Sequence, residues 1–97
     1  MASYVVLGNY TEQGIKNMKG LSARLDAVKQ MFQAAGGSMI AWYLTFGAYD
    51  FVAVLEVPDA QTAARLTLMI CGQGNVRTTT MQALTEAEAI SVANALP

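Results

Sequence analysis

The sequence predicts an α+β domain built on a four-stranded antiparallel sheet, with one further helix after the last strand. Three observations lead there. Apolar residues recur at helical spacing in some stretches and form strand-like runs in others, in a regular order. The changes of period coincide with stop signals, at Gly36-Gly37, Pro58-Asp59 and Gly72-Gln73-Gly74. Two of the strand-like runs follow one another closely, and both are largely apolar on their two faces.

Residues 3–10 (SYVVLGNY) are rich in β-branched and aromatic side chains and read as the first strand. Gly8 inside it predicts a bulge or a close approach by another group. Thr11 is a good N-cap, with Glu12 in the first helical turn. Ile15, Met18, Leu21, Leu25, Val28 and Phe32 then recur every three or four residues, which predicts one long helix ending at Gly36-Gly37. Gly14 and Gly20 weaken its first half by about 1 kcal/mol each relative to alanine.

Residues 38–46 (SMIAWYLTF) and 49–57 (YDFVAVLEV) read as strands two and three. Gly47-Ala48 between them suits a two-residue type II′ hairpin. That register sets Phe46 opposite Tyr49, Leu44 opposite Phe51, Trp42 opposite Ala53 and Ile40 opposite Leu55. On the other face it sets Thr45 opposite Asp50, Tyr43 opposite Val52, Ala41 opposite Val54 and Met39 opposite Glu56. A sheet with one wet face alternates apolar with polar residues. This hairpin does so only at its ends, so a cover is expected on each side. The chain's own helices supply one, and a second copy of the chain the other. Trp42 or Leu44, whichever faces the partner, is then the position at which a glutamate dissociates the assembly.

Asp59 caps the next helix, whose face carries Ala60, Ala63, Ala64, Leu68 and Cys71. Residues 75–83 (NVRTTTMQA) read as strand four, its threonines suiting a partly solvated pleat. Thr85 and Glu88 match a capping box before a short C-terminal helix. The order is β-α-β-β-α-β plus a tail helix, the split βαβ or ferredoxin-like arrangement, in one domain over residues 1–97.

Composition narrows the function. Of the 97 residues, 54% are hydrophobic and 13% charged, more apolar material than one small core hides. A homo-oligomer is the simplest outlet. The net charge is −1, and the six basic residues form no dense run, which argues against nucleic acid. No apolar stretch is long enough to span a bilayer, and the N-terminal residues lack the pattern of a signal peptide. The single cysteine, Cys71, has no internal partner for a disulfide, so a cytoplasmic, reducing location is expected.

Several segments, taken together and in order, resemble the GYD domain family. They are Tyr10-Thr11-Glu12-Gln13-Gly14, the turn Phe46-Gly47-Ala48-Tyr49-Asp50, the helix entry Val57-Pro58-Asp59, and Gly72-Gln73-Gly74-Asn75-Val76-Arg77-Thr78-Thr79-Thr80 leading to Ala83. The motif that names the family stands here as Gly47, Tyr49 and Asp50. The resemblance spans nearly the whole chain. It implies a ferredoxin-like fold, kinship with dimeric α/β barrel proteins, and a bacterial or archaeal source. It carries over no catalytic residues.

There is no histidine, which removes the usual neutral-pH base and the commonest metal ligand. No metal and no resident cofactor are expected. Asp50 is the candidate catalytic residue, as a general base or an acceptor that orients a ligand. The alternative is a turn carboxylate bonded to Thr45, to backbone amides or to an arginine of a neighbouring subunit. Tyr10, Tyr43, Tyr49 and Arg77 are the candidate ligand-binding residues, offering hydroxyls and one cation. The structural readings, which take precedence, are that Tyr49 packs on Phe46 and that Arg77 pairs with Asp50, Glu56 or a partner subunit. The glycines at 72 and 74 follow a helix, which makes them a C-cap rather than a phosphate loop. The function expected is an oligomeric module that binds a small molecule or assembles with itself. The alternative is a cofactor-free isomerase or monooxygenase-like enzyme using Asp50 as base.

Overall fold

A computed structural model describes residues 1–97. β1 (Ala2–Tyr10) leads into α1 (Glu12–Lys16), a 3-10 turn (Met18–Gly20) and α2 (Leu21–Ala34). β2 (Ser38–Leu44) and β3 (Phe51–Val57) form the hairpin, followed by α3 (Ala60–Cys71), β4 (Val76–Ala83) and α4 (Glu86–Asn94). The strands lie in the order β2-β3-β1-β4 and every neighbouring pair is antiparallel. This is the ferredoxin-like α+β layout predicted from the order of periods.

The side chains of β1 and β3 alternate. Tyr4, Val6, Phe51, Ala53, Leu55 and Val57 are buried and meet Phe32 of α2 and Ala63 and Leu66 of α3. Those residues are the core, and α2 and α3 cover one face of the sheet. Gly8 continues the same inward row. A side chain there has no room, since a Cβ would stand 2.0 Å from the Phe51 ring. The expected close approach is thus made by the protein's own aromatic.

The long first helix is broken. Asn17 donates its N–H to the Gly14 carbonyl at 3.2 Å, and a tight turn carries the chain to Gly20, where α2 starts. Gly14 and Gly20 make the break cheap. The apolar stripe continues across it, but Ile15 is more than half exposed and only the part from Leu21 onward packs inward. The cap at Thr11 forms as expected, accepting from the Gly14 N–H at 3.1 Å.

The hairpin keeps its predicted register from Ala41 to Leu44, with Leu44 opposite Phe51, Tyr43 opposite Val52, Trp42 opposite Ala53 and Ala41 opposite Val54. Two details differ. A bulge at Ile40 puts Met39, rather than Ile40, opposite Leu55, and Ser38 opposite Glu56. One extra residue on an edge strand reverses the side to which its neighbours point. The flexible Met39 thereby joins the core and Ile40 turns outward. The turn is also longer than two residues. Phe46 does not pair with Tyr49; residues 46–49 form a loop closed by Thr45, whose N–H bonds the Asp50 carbonyl at 2.8 Å and whose hydroxyl bonds the Tyr49 carbonyl at 2.6 Å. β1 competes for the strand: the Asp50 N–H donates to the Gly8 carbonyl at 2.8 Å.

Trp42 and Leu44 alternate with Ala41 and Tyr43, and both stand on the helix-covered side, Trp42 stacked on Phe51 at 5.8 Å. Neither belongs to the open face. That face carries Val5, Leu7, Ala41, Tyr43, Val52, Val54, Thr79 and Met81, with Tyr43 61% exposed. No helix of the chain covers it. α4 packs on none of the other elements to a significant extent, and its residues, Glu86–Asn94, are all exposed.

Candidate functional site

Three loops meet at the end of the sheet where β1 finishes. Thr11, just past Tyr10, has a hydroxyl that caps α1 and also donates to the Gly74 carbonyl at 2.6 Å. Its N–H donates to the Asn75 carbonyl at 3.0 Å. The Gln13 side-chain amide donates to the Gln73 carbonyl and to Asn75 Oδ1, both at 3.0 Å. Gly14 lies so close that a Cβ would stand 2.1 Å from the Asn75 carbonyl oxygen. Residues 11–14 and 73–75 thus form a clasp, and only glycine fits at position 14.

The hairpin loop closes onto the same end. Asp50 Oδ2 accepts the Tyr10 N–H at 2.9 Å, and Asn9 Nδ2 donates to the Ala48 carbonyl at 3.0 Å. Of the alternatives open to Asp50, its carboxylate makes the bond to a backbone amide. The Thr45 hydroxyl turns to the Tyr49 carbonyl instead.

Behind this clasp, between the sheet and α2 and α3, lies a cavity of about 100 Å³. Its walls are mostly apolar, with Val6, Val28, Phe32, Trp42 and Phe51 prominent. Phe51 sits between two aromatics, with Trp42 on one side and the Tyr10 ring 5.4 Å away on the other. Tyr10, Arg24, Thr67, Gln73, Asn75 and Thr78 supply polar groups to the lining, and no Asp or Glu does. Burial pushes the Tyr10 phenol above its usual pKa; the Arg24 charge opposes the rise and Asp50 adds to it. Tyr10 is therefore a neutral phenol at pH 7, able to donate or accept. Arg24 is half-buried. Its Nη2 contacts the Met18 sulfur at 3.7 Å, and its Nη1 is fully buried with no hydrogen-bond partner. The Tyr4 hydroxyl is also buried without a partner, but it does not line the cavity.

The residues singled out from sequence do not converge on one point. Tyr10 lines the cavity, and Asp50 holds its backbone from outside that lining. Tyr49 is in the hairpin loop beside Phe46, which is 96% exposed. Tyr43 and Arg77 lie on the open face, on β2 and β4, which are opposite edges of the sheet. Arg77 forms no ion pair within the chain; Lys16 and Glu12 make the one salt bridge, at 3.2 Å. Arg24 was not among the candidates, yet the sequence contains a signal for it. It sits at the three-residue step of the stripe Leu21, Leu25, Val28, so a charged residue occupies a core-facing position. Cys71 is half-buried with its sulfur 3.4 Å from the Thr78 hydroxyl. No three His, Cys, Asp or Glu side chains gather as metal ligands would. No helix is long and apolar enough to cross a membrane.

Comparison with known proteins matches the family described as GYD domain over residues 4–93. A Thermus thermophilus protein named glutamine synthetase and cystathionine beta-lyase binding protein is 34% identical over 92 residues, covering 94% of this chain and 97% of its own. Two crystal structures share the fold. FFRP-DM1 superposes with a TM-score of 0.62 at 17% identity, over 87% of this chain and all of its own. TTHA0845 from Thermus thermophilus has a TM-score of 0.55 at 21% identity, over 88% and 95% of the two chains. Of the segments that carried the resemblance, those at 10–14, 46–50 and 72–75 meet at this end of the sheet, whereas residues 76–80 run along β4 and Val57-Pro58-Asp59 lies at the opposite end.

Proposed function

We propose that this chain, which belongs to the GYD domain family, works as a self-assembling binding module, a second copy covering the open face of its sheet. The observation that carries this is the bare apolar face itself. Val5, Leu7, Val52, Val54 and Met81 form a continuous patch with Tyr43 at one edge and no helix over it. Monomeric proteins rarely leave such a face to water. The unpacked α4 is a second feature that needs a partner surface.

Binding rather than turnover is supported by the position of Asp50. Its carboxylate accepts the Tyr10 amide and does not line the cavity. The Thermus relative is named for binding two enzymes. By analogy, the output proposed here is the docking of an enzyme partner on the assembled module.

The test is molar mass by light scattering for the wild type, Tyr43→Glu and Val54→Glu. A multiple of the 10.3 kDa chain is expected for the wild type. Val54→Glu, at the middle of the patch, is expected to give folded monomer, and Tyr43→Glu a weaker assembly. A wild type that stays monomeric at millimolar concentration overturns the proposal, as does Val54→Glu keeping the wild-type mass with its fold intact.

A further inference from the structure

We propose that the cavity between the sheet and α2 is a binding site for a small carboxylate with a short apolar body, its headgroup held by Arg24. This is independent of self-association, since the cavity lies wholly on the helix-covered side of one chain.

Arg24 supplies the first reason. Buried polar groups are nearly always hydrogen-bonded, and those that are not call for a specific explanation. Nη1 is fully enclosed without a partner, and Nη2 has only a thioether, a weak acceptor, at 3.7 Å. No carboxylate of the chain reaches the guanidinium. A half-buried cation left this way lacks the acceptor that would offset its desolvation. A carboxylate entering the cavity that Arg24 lines would supply that acceptor, and a guanidinium pairs with a carboxylate more strongly than with a neutral group.

The walls supply the second. Val28, Phe32, Trp42 and Phe51 are apolar, so the rest of the ligand is hydrocarbon. An apolar cavity of about 150 Å³ holds benzene. On that scale the space here, near 100 Å³, suits a hydrocarbon body of no more than roughly four carbons. The lining has no acidic residue, so an ammonium group would find no counter-charge. That separates a simple short-chain acid from the corresponding amino acid or amine. Tyr10, with its phenol held neutral, can donate to the same headgroup.

The experiment titrates the full-length protein with 3-methylbutanoate, 3-methylbutanamide and 3-methylbutylamine by calorimetry. Emission of Trp42, the single tryptophan of the chain and part of the cavity wall, is followed in parallel. Saturable binding of the acid is expected, at least about tenfold tighter than the amide, with a change in Trp42 emission and no response to the amine. Arg24→Met removes the preference for acid over amide. Arg24→Lys keeps the charge but not the fork and binds the acid about tenfold more weakly. Circular dichroism of each variant reports the fold, and Arg24→Lys carries the test if Arg24→Met does not fold. Equal affinity for acid and amide overturns the proposal. So does the absence of saturable binding to the wild type, or wild-type affinity for the acid in Arg24→Lys. Molar mass measured on the same samples keeps this outcome separate from that of self-association.

Discussion

Asp50 shows how one side chain can tie two loops together. Its N–H continues the β1–β3 ladder past Gly8, and its carboxylate takes the amide of Tyr10, two residues further along β1. A bond from a backbone amide to a charged acceptor contributes about 1.5–3 kcal/mol. Asp50→Ala is therefore expected to lower the unfolding free energy by roughly that amount. Asp50→Asn keeps an acceptor oxygen and is expected to lose less than half of it. Urea denaturation of the two variants checks this. Equal stability of Asp50→Ala and wild type counts against the clip. Arg24 is the opposite case, a side chain with donors to spare, and its worth is read from ligand affinity rather than from stability.

Individual elements owe their ends to short polar contacts. Asp59 caps α3, accepting the Thr62 N–H at 2.8 Å, and the hydroxyl and amide of Thr62 hold its carboxyl below the usual range. Glu88 is lowered in the same way by the amide and hydroxyl of Thr85, within a complete capping box at 2.9 and 3.2 Å. A carboxylate whose folded pKa is depressed stabilises the folded state above its unfolded value. That contribution disappears as pH falls through the folded pKa. Both caps are therefore intact at pH 7 and fail only on acidification below the ordinary carboxylate range. Helical ellipticity is expected to fall there, and in Thr85→Ala the α4 part of the loss is expected to be present already at pH 7. α4 spans nine residues, too short to be stable in isolation, and it packs on no other element to a significant extent. A pH titration by circular dichroism in which Thr85→Ala matches wild type throughout would count against this role of the box.

The whole molecule is more open than a compact chain of its size. Its radius of gyration is 14.7 Å, against about 12.5 Å for a compact domain of this length. Its accessible surface is 6297 Å², about 900 Å² above the value for a compact monomer of this mass. One partner's share of a standard interface is about 800 Å². With a core of nine buried apolar residues, the single chain has little stability in reserve. Folding coupled to assembly makes the melting temperature depend on protein concentration. A rise of a few degrees per tenfold increase in concentration is expected by scanning calorimetry for the wild type, and none for Val54→Glu. A wild-type midpoint that does not move with concentration contradicts coupled assembly.

Much of the fold is written in local patterns. The period changes, the caps at Thr11, Asp59 and Thr85, and the succession of elements along the chain are properties of neighbouring residues, so they can be read from the sequence. The apolar character of both hairpin faces is equally plain from alternation alone. The side on which each residue lies is not. The bulge at Ile40 moves Met39 into the core, and the pull of β1 on Asp50 lengthens the loop. The second depends on a strand distant in the sequence, since the Asp50 N–H bonds the Gly8 carbonyl of β1. Arg24 is the sharpest instance. Its place in an apolar stripe is visible in the letters, but the burial of Nη1 without an acceptor exists only once α2 lies over the sheet, because enclosure belongs to no single segment of the chain.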